Sequence, residues 1–538
     1  MKKNLVFLIF VSLVVSVSGS SLRNVSGLSE ANSIRSSGDV LFNEENFPDP
    51  NFRKYLQDTY PAITADGIFT AEEISSIIAI NVNKLSISTL KGIEHFTSLQ
   101  GLECRENQLT SLDVSQNSSL VLLWCNNNQL TSLDVSGNTF LTSLNCGANQ
   151  IRSLDVSQNC YLNFLHCDYN QLTSLDVSKN TSLEDLDCGY NQLSSLDVSL
   201  NTSLIELWCN NNQLSFLDVS RNTSMTWLAS YDNQLSSLDV SKNTSLVILY
   251  CENNQLSSLD VSKNTSLVIL NCGVNQLSSL DVSQNTSLKG LECYSNQLSS
   301  LDVSKNTSLS SLLCWDNQLS LLDVSKNMSL EHLYCGGNQL STLDVSKNTS
   351  LEDLNFYSNQ LSSINVSQNT SLMRLYCGDN QLRSLDVSNN ISLWYLECSY
   401  NQLTSLDISK NTGLKRMYCY MNQIKDEGME TLVNSLPQGQ TGEGNGENVL
   451  CIVSTDSNEG NVCTADQVST IRSKGWTPYC YNDLLDETVE YTGAPTGIKD
   501  IPQISKKHDG PVYDLRGKRL ERPRRGLNIV GGQKVLIK

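Results

Sequence analysis

The chain has 538 residues, eighteen of them cysteine, and a formal charge of −19. That length exceeds what one ordinary domain needs, and so acidic a body repels phosphate backbones, which argues against nucleic acid as a partner. Only four histidines occur, and no HExxH, P-loop, GxGxxG or serine–histidine–aspartate arrangement is present, so no enzymatic role is expected.

Residues 1–20 begin MKK, continue as an apolar run over 5–17 and exit through "SVSGSS". Charged start, short apolar core and small-residue exit are the parts of a secretory signal peptide. The run is too short to span a bilayer comfortably, and no later stretch is apolar enough to do so. An exported, soluble protein is expected. Residues 21–40 read as a Ser-rich linker. Residues 41–98 read as a helical N-terminal cap: "DPNFRKYLQDTY" places Phe52, Tyr55 and Leu56 on one helical face. "TAEEISSIIAI" opens with Thr70 and Glu73 in capping-box spacing and carries Ile74, Ile77 and Ile78. The same region holds an EF-hand-like register of Asp66, Gly67 and Glu73. Ala62 and Thr64 stand where carboxylates or amides belong, so no calcium site is expected.

Residues 99–424 are repetitive. "LQGLECRENQL" fits L-x-x-L-x-L-x-x-N-x-L with Cys104 in place of one Leu, and "LDVS" follows. The Asn recurs every 21 residues from Asn107 to Asn422, sixteen times. The alternating L-x-C segment predicts a short strand with Leu and Cys on one side, an apolar face that a single repeat cannot bury. Stacking about fifteen steps at roughly 4.8 Å predicts an arc roughly 70 Å long. The fold class is therefore a leucine-rich-repeat solenoid: parallel strands on the concave face, little helix, a helical N-terminal cap and a small α/β C-terminal cap. The Asn satisfies backbone groups where the chain turns.

Fourteen cysteines follow the same period, from Cys104 to Cys419, with Ser230 and Phe356 standing in the column. Those two exchanges indicate packing rather than chemistry, and buried free thiols are expected. No metal-binding spacing is present. On this repeat, the cysteine column and "NQLTSLDVS", the chain resembles the cysteine-ladder internalins of the internalin J-like type. The resemblance implies a bacterial surface adhesin that binds rather than catalyses.

Residues 425–495 read as the α/β cap. "DEGMETLVNSL" is a helix burying Met429, Leu432, Val433 and Leu436. "VLCIVS" and "WTPYCY" are strands. "TADQVSTIRSKGW" is a helix capped by Thr464 and Gln467 and stopped at Gly475. Cys451, Cys463 and Cys480 lie here; a disulfide among them and three free thiols are both open. Residues 496–538 form a basic tail, with ten Lys or Arg against three Asp or Glu from 505 onward. Its "VYDLRGKRL", Gly526, "LNIV" and "KVLIK" resemble the C-terminal sorting domain of the type IX secretion system, with Asn528 where an aromatic is common. That resemblance implies the cell surface or exterior of a Gram-negative bacterium.

The Asp column of "LDVS" (Asp113, Asp134, Asp155 and their equivalents) reads as turn capping rather than a cation site. The "NTS" triplets match glycosylation sequons but also mark turns. His166 and His332 lie by the strands without a recognisable catalytic partner. The informative residues are those that vary. Trp124, Trp208, Tyr250, Tyr334, Tyr376 and Tyr418 precede the ladder position, with His166 among them. Tyr169, Tyr190, Tyr231, Tyr294, Trp315, Tyr357, Tyr400 and Tyr420 follow it, and Trp227, Trp394 and Tyr395 lie just upstream. Such rings are favoured at binding hot spots. They are expected to line a concave face that binds a macromolecule, a protein in the first place or a host or cell-surface glycan in the second, with no cofactor and no membrane span.

Overall fold

A computed structural model describes residues 38–439, 448–483 and 486–493, together with four strands within 512–537. The expected signal peptide and most of the Ser-rich linker lie outside the described residues, as does most of the basic tail.

Each turn places three residues in a strand with its middle Leu fully buried, as in Glu206–Trp208 and Ile248–Tyr250. The strands pair in parallel and in unbroken register, so that Leu207, Leu228, Leu249 and Leu270 stack directly. One continuous sheet runs from Ala79–Asn81 to Thr477–Asn482 and ends on the antiparallel strand Glu487–Glu490. The chain is a leucine-rich-repeat solenoid, and its core is a set of columns of Leu, Val and Cys running the length of the arc.

The sheet begins one turn before the regular repeats. Ala79–Asn81 pairs with Gly101–Glu103, and Val82 and Ile87 occupy the core positions that Cys104 and Leu109 hold one turn later. Ahead of it, helix Pro50–Thr59 is capped by Asp49 and buries Phe52 and Leu56 in a cluster of aromatic rings centred on Phe47. Helix Ala71–Ser76 carries the Thr70–Glu73 capping box. Ile74 and Ile77 are buried, but the helix stops at Ser76 and Ile78 is half exposed, so the three isoleucines do not share one helical face. Asp66 and Glu73, the EF-hand-like pair, serve the backbone of Ile68 and Thr70.

Two asparagine ladders bind the turns. In the first, the Asn275 amide donates to the carbonyls of Cys251 (3.0 Å), Cys272 (3.2 Å) and Gly273 (3.1 Å), and its oxygen accepts from Leu256 N (2.9 Å). In the second, Asn138 Nδ2 donates to Val114 O (3.0 Å) and Asn117 O (2.9 Å). The sequon asparagines Asn180, Asn201 and Asn264 belong to this second ladder and are fully buried, so the folded chain does not present them for glycosylation.

All fourteen ladder cysteines are buried free thiols, and burial drives their pKa upward, to about 12 for Cys209 and Cys335. Ser230 keeps the column intact by turning its hydroxyl to Tyr250 O (3.5 Å). Cys451, Cys463 and Cys480 are also buried and free, whereas Cys160, off the period, is exposed. Past the last repeat, helix Asp426–Ser435 covers the open end, and Trp476 is buried with Nε1 donating to Pro437 O (2.8 Å). Helix Ala465–Ser473 has its Thr464–Gln467 capping box. In the tail, Arg519–Leu520, Val512–Asp514, Gly526–Val530 and Gln533–Ile537 form an antiparallel sheet in that order.

Thiol titration checks the ladder. Native protein is expected to show one fast-reacting thiol, Cys160, of the eighteen. Unfolding without reductant should release the remainder. A native count well above one, or oxidised ladder sulfurs after unfolding, contradicts the packing.

Candidate ligand-binding face

On the concave face most strands show their first and third residues, half-buried, while the middle residue, Leu in nearly every turn, points inward. The backbone then passes through a left-handed residue two positions after the ladder site in every turn, as at Asn127, Asn211, Asp232 and Asn253. Asn, Asp and Gly tolerate that conformation; other residues cost roughly 1–2 kcal/mol there. Tyr169 (φ 49°), Tyr190 (φ 51°) and Tyr400 (φ 51°) nevertheless occupy it. These rings therefore stand on the turn at the edge of the face rather than on the strands.

The expected aromatic residues gather in groups. Trp208 and Trp227 stack with ring centres 4.9 Å apart, and Tyr250 meets Trp227 edge-on at 6.0 Å. Tyr169 stacks on Tyr190 at 4.0 Å, and Tyr231 lies beside Tyr190. Tyr294 stacks on Trp315 at 4.5 Å. Tyr376, Tyr395 and Tyr418 form a row, with Trp394 edge-on to Tyr395. Trp124 lies under the Arg105 guanidinium (4.7 Å) and donates to Ser143 Oγ (2.9 Å). Tyr334 lies beside Asp353, and Tyr357 is exposed. Tyr400 instead turns to the C-terminal end, its hydroxyl donating to Asp483 Oδ1 (2.8 Å) while Tyr420 stacks on Tyr481. A recess of about 550 Å³ lies at the edge, lined by Tyr169, Tyr190, Asp232 and the asparagine ridge. Asn211 lines it, and its side-chain nitrogen, buried from solvent, has no hydrogen-bond partner.

Carboxylates were missed by looking for rings alone. Asp168, Asp185, Asp187, Glu252, Glu292, Asp353 and Glu397 all lie on or beside this face. Both strand histidines have acidic hydrogen-bond partners one turn on, which the sequence reading did not name. His166 Nε2 donates to Asp185 Oδ1 (3.1 Å), and His332 Nδ1 to Asp353 Oδ2 (2.8 Å). Asp353 is buried and is also held by both arms of the Arg374 guanidinium. Aligning the sequence at 21 residues brings His332 to Asp353 and sets His166 opposite Asp187, two residues from its partner Asp185, and that is the signal that could have found them.

Burial raises Glu252 and Glu397 to about 7, and Glu459 beneath the C-terminal strands likewise. On the convex side, Asp113 and its equivalents accept from Ser residues two positions on and are held below the usual range. No helix among the described residues is long and apolar enough to cross a membrane.

No protein-family model matches the chain. A 72-residue stretch is 36% identical to internalin J of Listeria monocytogenes, and the chain spans 8% of that protein's length. The solved functional domain of internalin J, which includes a cysteine ladder, aligns over 85% of this chain and 93% of its own at 30% identity, TM-score 0.56. A leucine-rich-repeat protein of Leptospira interrogans aligns over 69% of this chain and 96% of its own at 24% identity, TM-score 0.56, which shows the shared fold.

The pH dependence of stability checks the electrostatics. Glu252, Glu397 and Glu459 have folded pKa values raised from the ordinary 4.5. Their stabilising contribution is complete below the unfolded value and is lost as pH rises through about 7. The Asp113-type carboxylates act oppositely, losing their contribution as pH falls below the usual range. The melting temperature is therefore expected to be higher near about pH 5 than near about pH 8. Glu397→Gln and Glu459→Gln should each flatten that slope, and a melting curve that rises toward alkaline pH contradicts the assignment.

At 30% identity over 93% of a domain that includes a cysteine ladder, and with its own column of fourteen buried cysteines, the protein belongs to the cysteine-ladder leucine-rich-repeat proteins of the internalin J type.

Proposed function

We propose that the chain is a non-catalytic, exported surface protein of a Gram-negative bacterium that binds a protein ligand on its concave face, in the manner of an adhesin. The observation that carries this reading is the Trp208–Trp227–Tyr250 group, half-buried at mid-arc on turns whose convex sides are nearly identical. A scaffold that needed only to fold has no use for tryptophans on its most variable face. Large rings with few rotatable bonds, set among half-desolvated neighbours, are the composition of binding hot spots. The exposed Tyr169 and Tyr190 rings, stacked on each other at the edge of the face, support the same reading. The face is acidic as well as aromatic, so the partner surface is expected to be basic, with an association rate that falls as salt rises.

A glycan is the second reading. It is favoured by the Tyr169–Tyr190 platform beside an amide-lined recess with an unpartnered donor at Asn211. A glycan array run beside a protein pull-down separates the two.

Trp208→Ala with Trp227→Ala should weaken ligand binding by about 2 kcal/mol or more, roughly thirtyfold. The stacked pair contributes about 0.5–1.5 kcal/mol beyond its buried area. The double variant should therefore lose far less stability than Leu207→Ala, whose fully buried side chain leaves a cavity costing about 2–5 kcal/mol. Melting as early as the Leu207 variant would make the rings structural; stable protein with unchanged binding would move the contact surface elsewhere.

The tail is proposed as the sorting signal. Deleting residues 505–538 should leave folded protein in the periplasm, since the core of the described residues is built from Phe47 to Tyr491. Undiminished surface display after the deletion rejects that role.

A further inference from the structure

We infer that His166, Asp168 and Asp187 form a binding site for one divalent transition-metal ion, zinc in the first place, on the concave face. A ring nitrogen of His166 and one carboxylate oxygen from each aspartate lie within 4.8 Å of one another. The fold brings them together: His166 and Asp187 are register partners on adjacent strands, and Asp168 is two residues from His166.

Three features mark this as an arranged set rather than a chance acidic patch. The first is the histidine's second contact. Its Nε2 donates to Asp185 Oδ1 (3.1 Å), which leaves Nδ1 with a lone pair, and a ligating imidazole is ordinarily held by a carboxylate on its other nitrogen in this way. Phe164 stacks on the ring at 4.0 Å and restricts its rotation. The second is Gly147, one turn before Asp168. A Cβ there would overlap Asp168 Oδ1, so glycine makes the room this carboxylate occupies. The third is uncompensated charge. Asp168, Asp185 and Asp187 converge on one imidazole, and among the described residues no Lys or Arg pairs with any of them. Asp187 Oδ1 accepts from Gly189 N (3.0 Å), which anchors that side chain and leaves its second oxygen available.

One imidazole and two carboxylates suit a first-row divalent ion with a fourth position open, and three ligands fall short of the six to eight oxygens that calcium takes. Ligand atoms in a tetrahedral zinc shell stand roughly 3.4 Å apart. The set must therefore close by small rotations of half-buried side chains. The open position faces the concave side, beside the ring groups, where a carboxylate or imidazole of a bound partner could complete the shell. Metal binding itself does not depend on the ligand-binding reading.

The test uses the full chain, stripped with a chelator and titrated with zinc, then separately with cobalt and calcium. One zinc per chain is expected. His166→Ala should weaken it by more than about a hundredfold, and Asp185→Asn, through orientation alone, by about tenfold. Asp187→Asn should abolish binding while leaving the metal-free melting temperature unchanged or higher, because it removes a repulsion; a merely structural aspartate would give the reverse. Cobalt should give a nitrogen–oxygen spectrum without a thiolate charge-transfer band. If His166→Ala does not fold, Asp168→Asn serves in its place. The proposal fails if no stoichiometric zinc is bound, if binding survives these substitutions, if cobalt reports thiolate ligands, or if calcium binds as tightly as zinc.

Discussion

Each asparagine that follows a strand is bonded to two turns at once, and the geometry of the whole arc depends on it. Its amide nitrogen closes the bend of its own turn and reaches the ladder carbonyl of the turn before. Its oxygen takes a backbone N–H from that same earlier turn. One side chain thus satisfies buried main-chain groups that water cannot reach, groups that would cost about 1–3 kcal/mol each if left alone. Because every turn repeats the arrangement at the same offset, strand register cannot slip, and the leucine and cysteine columns follow from it.

The cysteine column is a consequence of that spacing. Equivalent side chains recur about 4.8 Å apart along every column of the core, and at this position a thiol, a small apolar group, fills the place that the repeat line gives to leucine. Burial keeps the sulfurs protonated, which makes them inert in an oxidising compartment. Phe356 shows that the column tolerates one large member; nothing in the structure explains why it stands at that turn.

Most of the fold was legible because a 21-residue period with fixed Leu, Cys and Asn leaves few alternatives. The aromatic groups were legible for the same reason: Trp208 and Trp227 fall on neighbouring turns, and the rings stack as adjacency implies. What stayed hidden involved relations across turns or breaks in the pattern. His166 and Asp185 are nineteen residues apart and look unrelated until the strands are laid side by side. The buried asparagine of "NTS" looks like an exposed turn residue, because nothing local shows that its amide reaches back to the preceding turn. The opening turn was read as part of the cap, since Val82 in place of Cys removes the marker. Ile78 was placed with Ile74 by helical spacing, but the helix ends before it.

The second asparagine ladder, with its donors always directed toward the preceding turn, gives the repeat array a property that ordinary domains lack. Each unit is complete once one neighbour lies on either side, and no unit contacts a distant one through this ladder. A whole unit can therefore be duplicated or lost by recombination between near-identical coding segments with each ladder nitrogen still meeting two carbonyls of the turn before it. Such an event would lengthen or shorten the arc by one strand spacing and carry the groups on one side of it that far from those on the other. The distance between the Trp208–Trp227 pair and the Tyr395 row is thus an inheritable dimension, adjustable in discrete steps, that selection can fit to the size of whatever spans them.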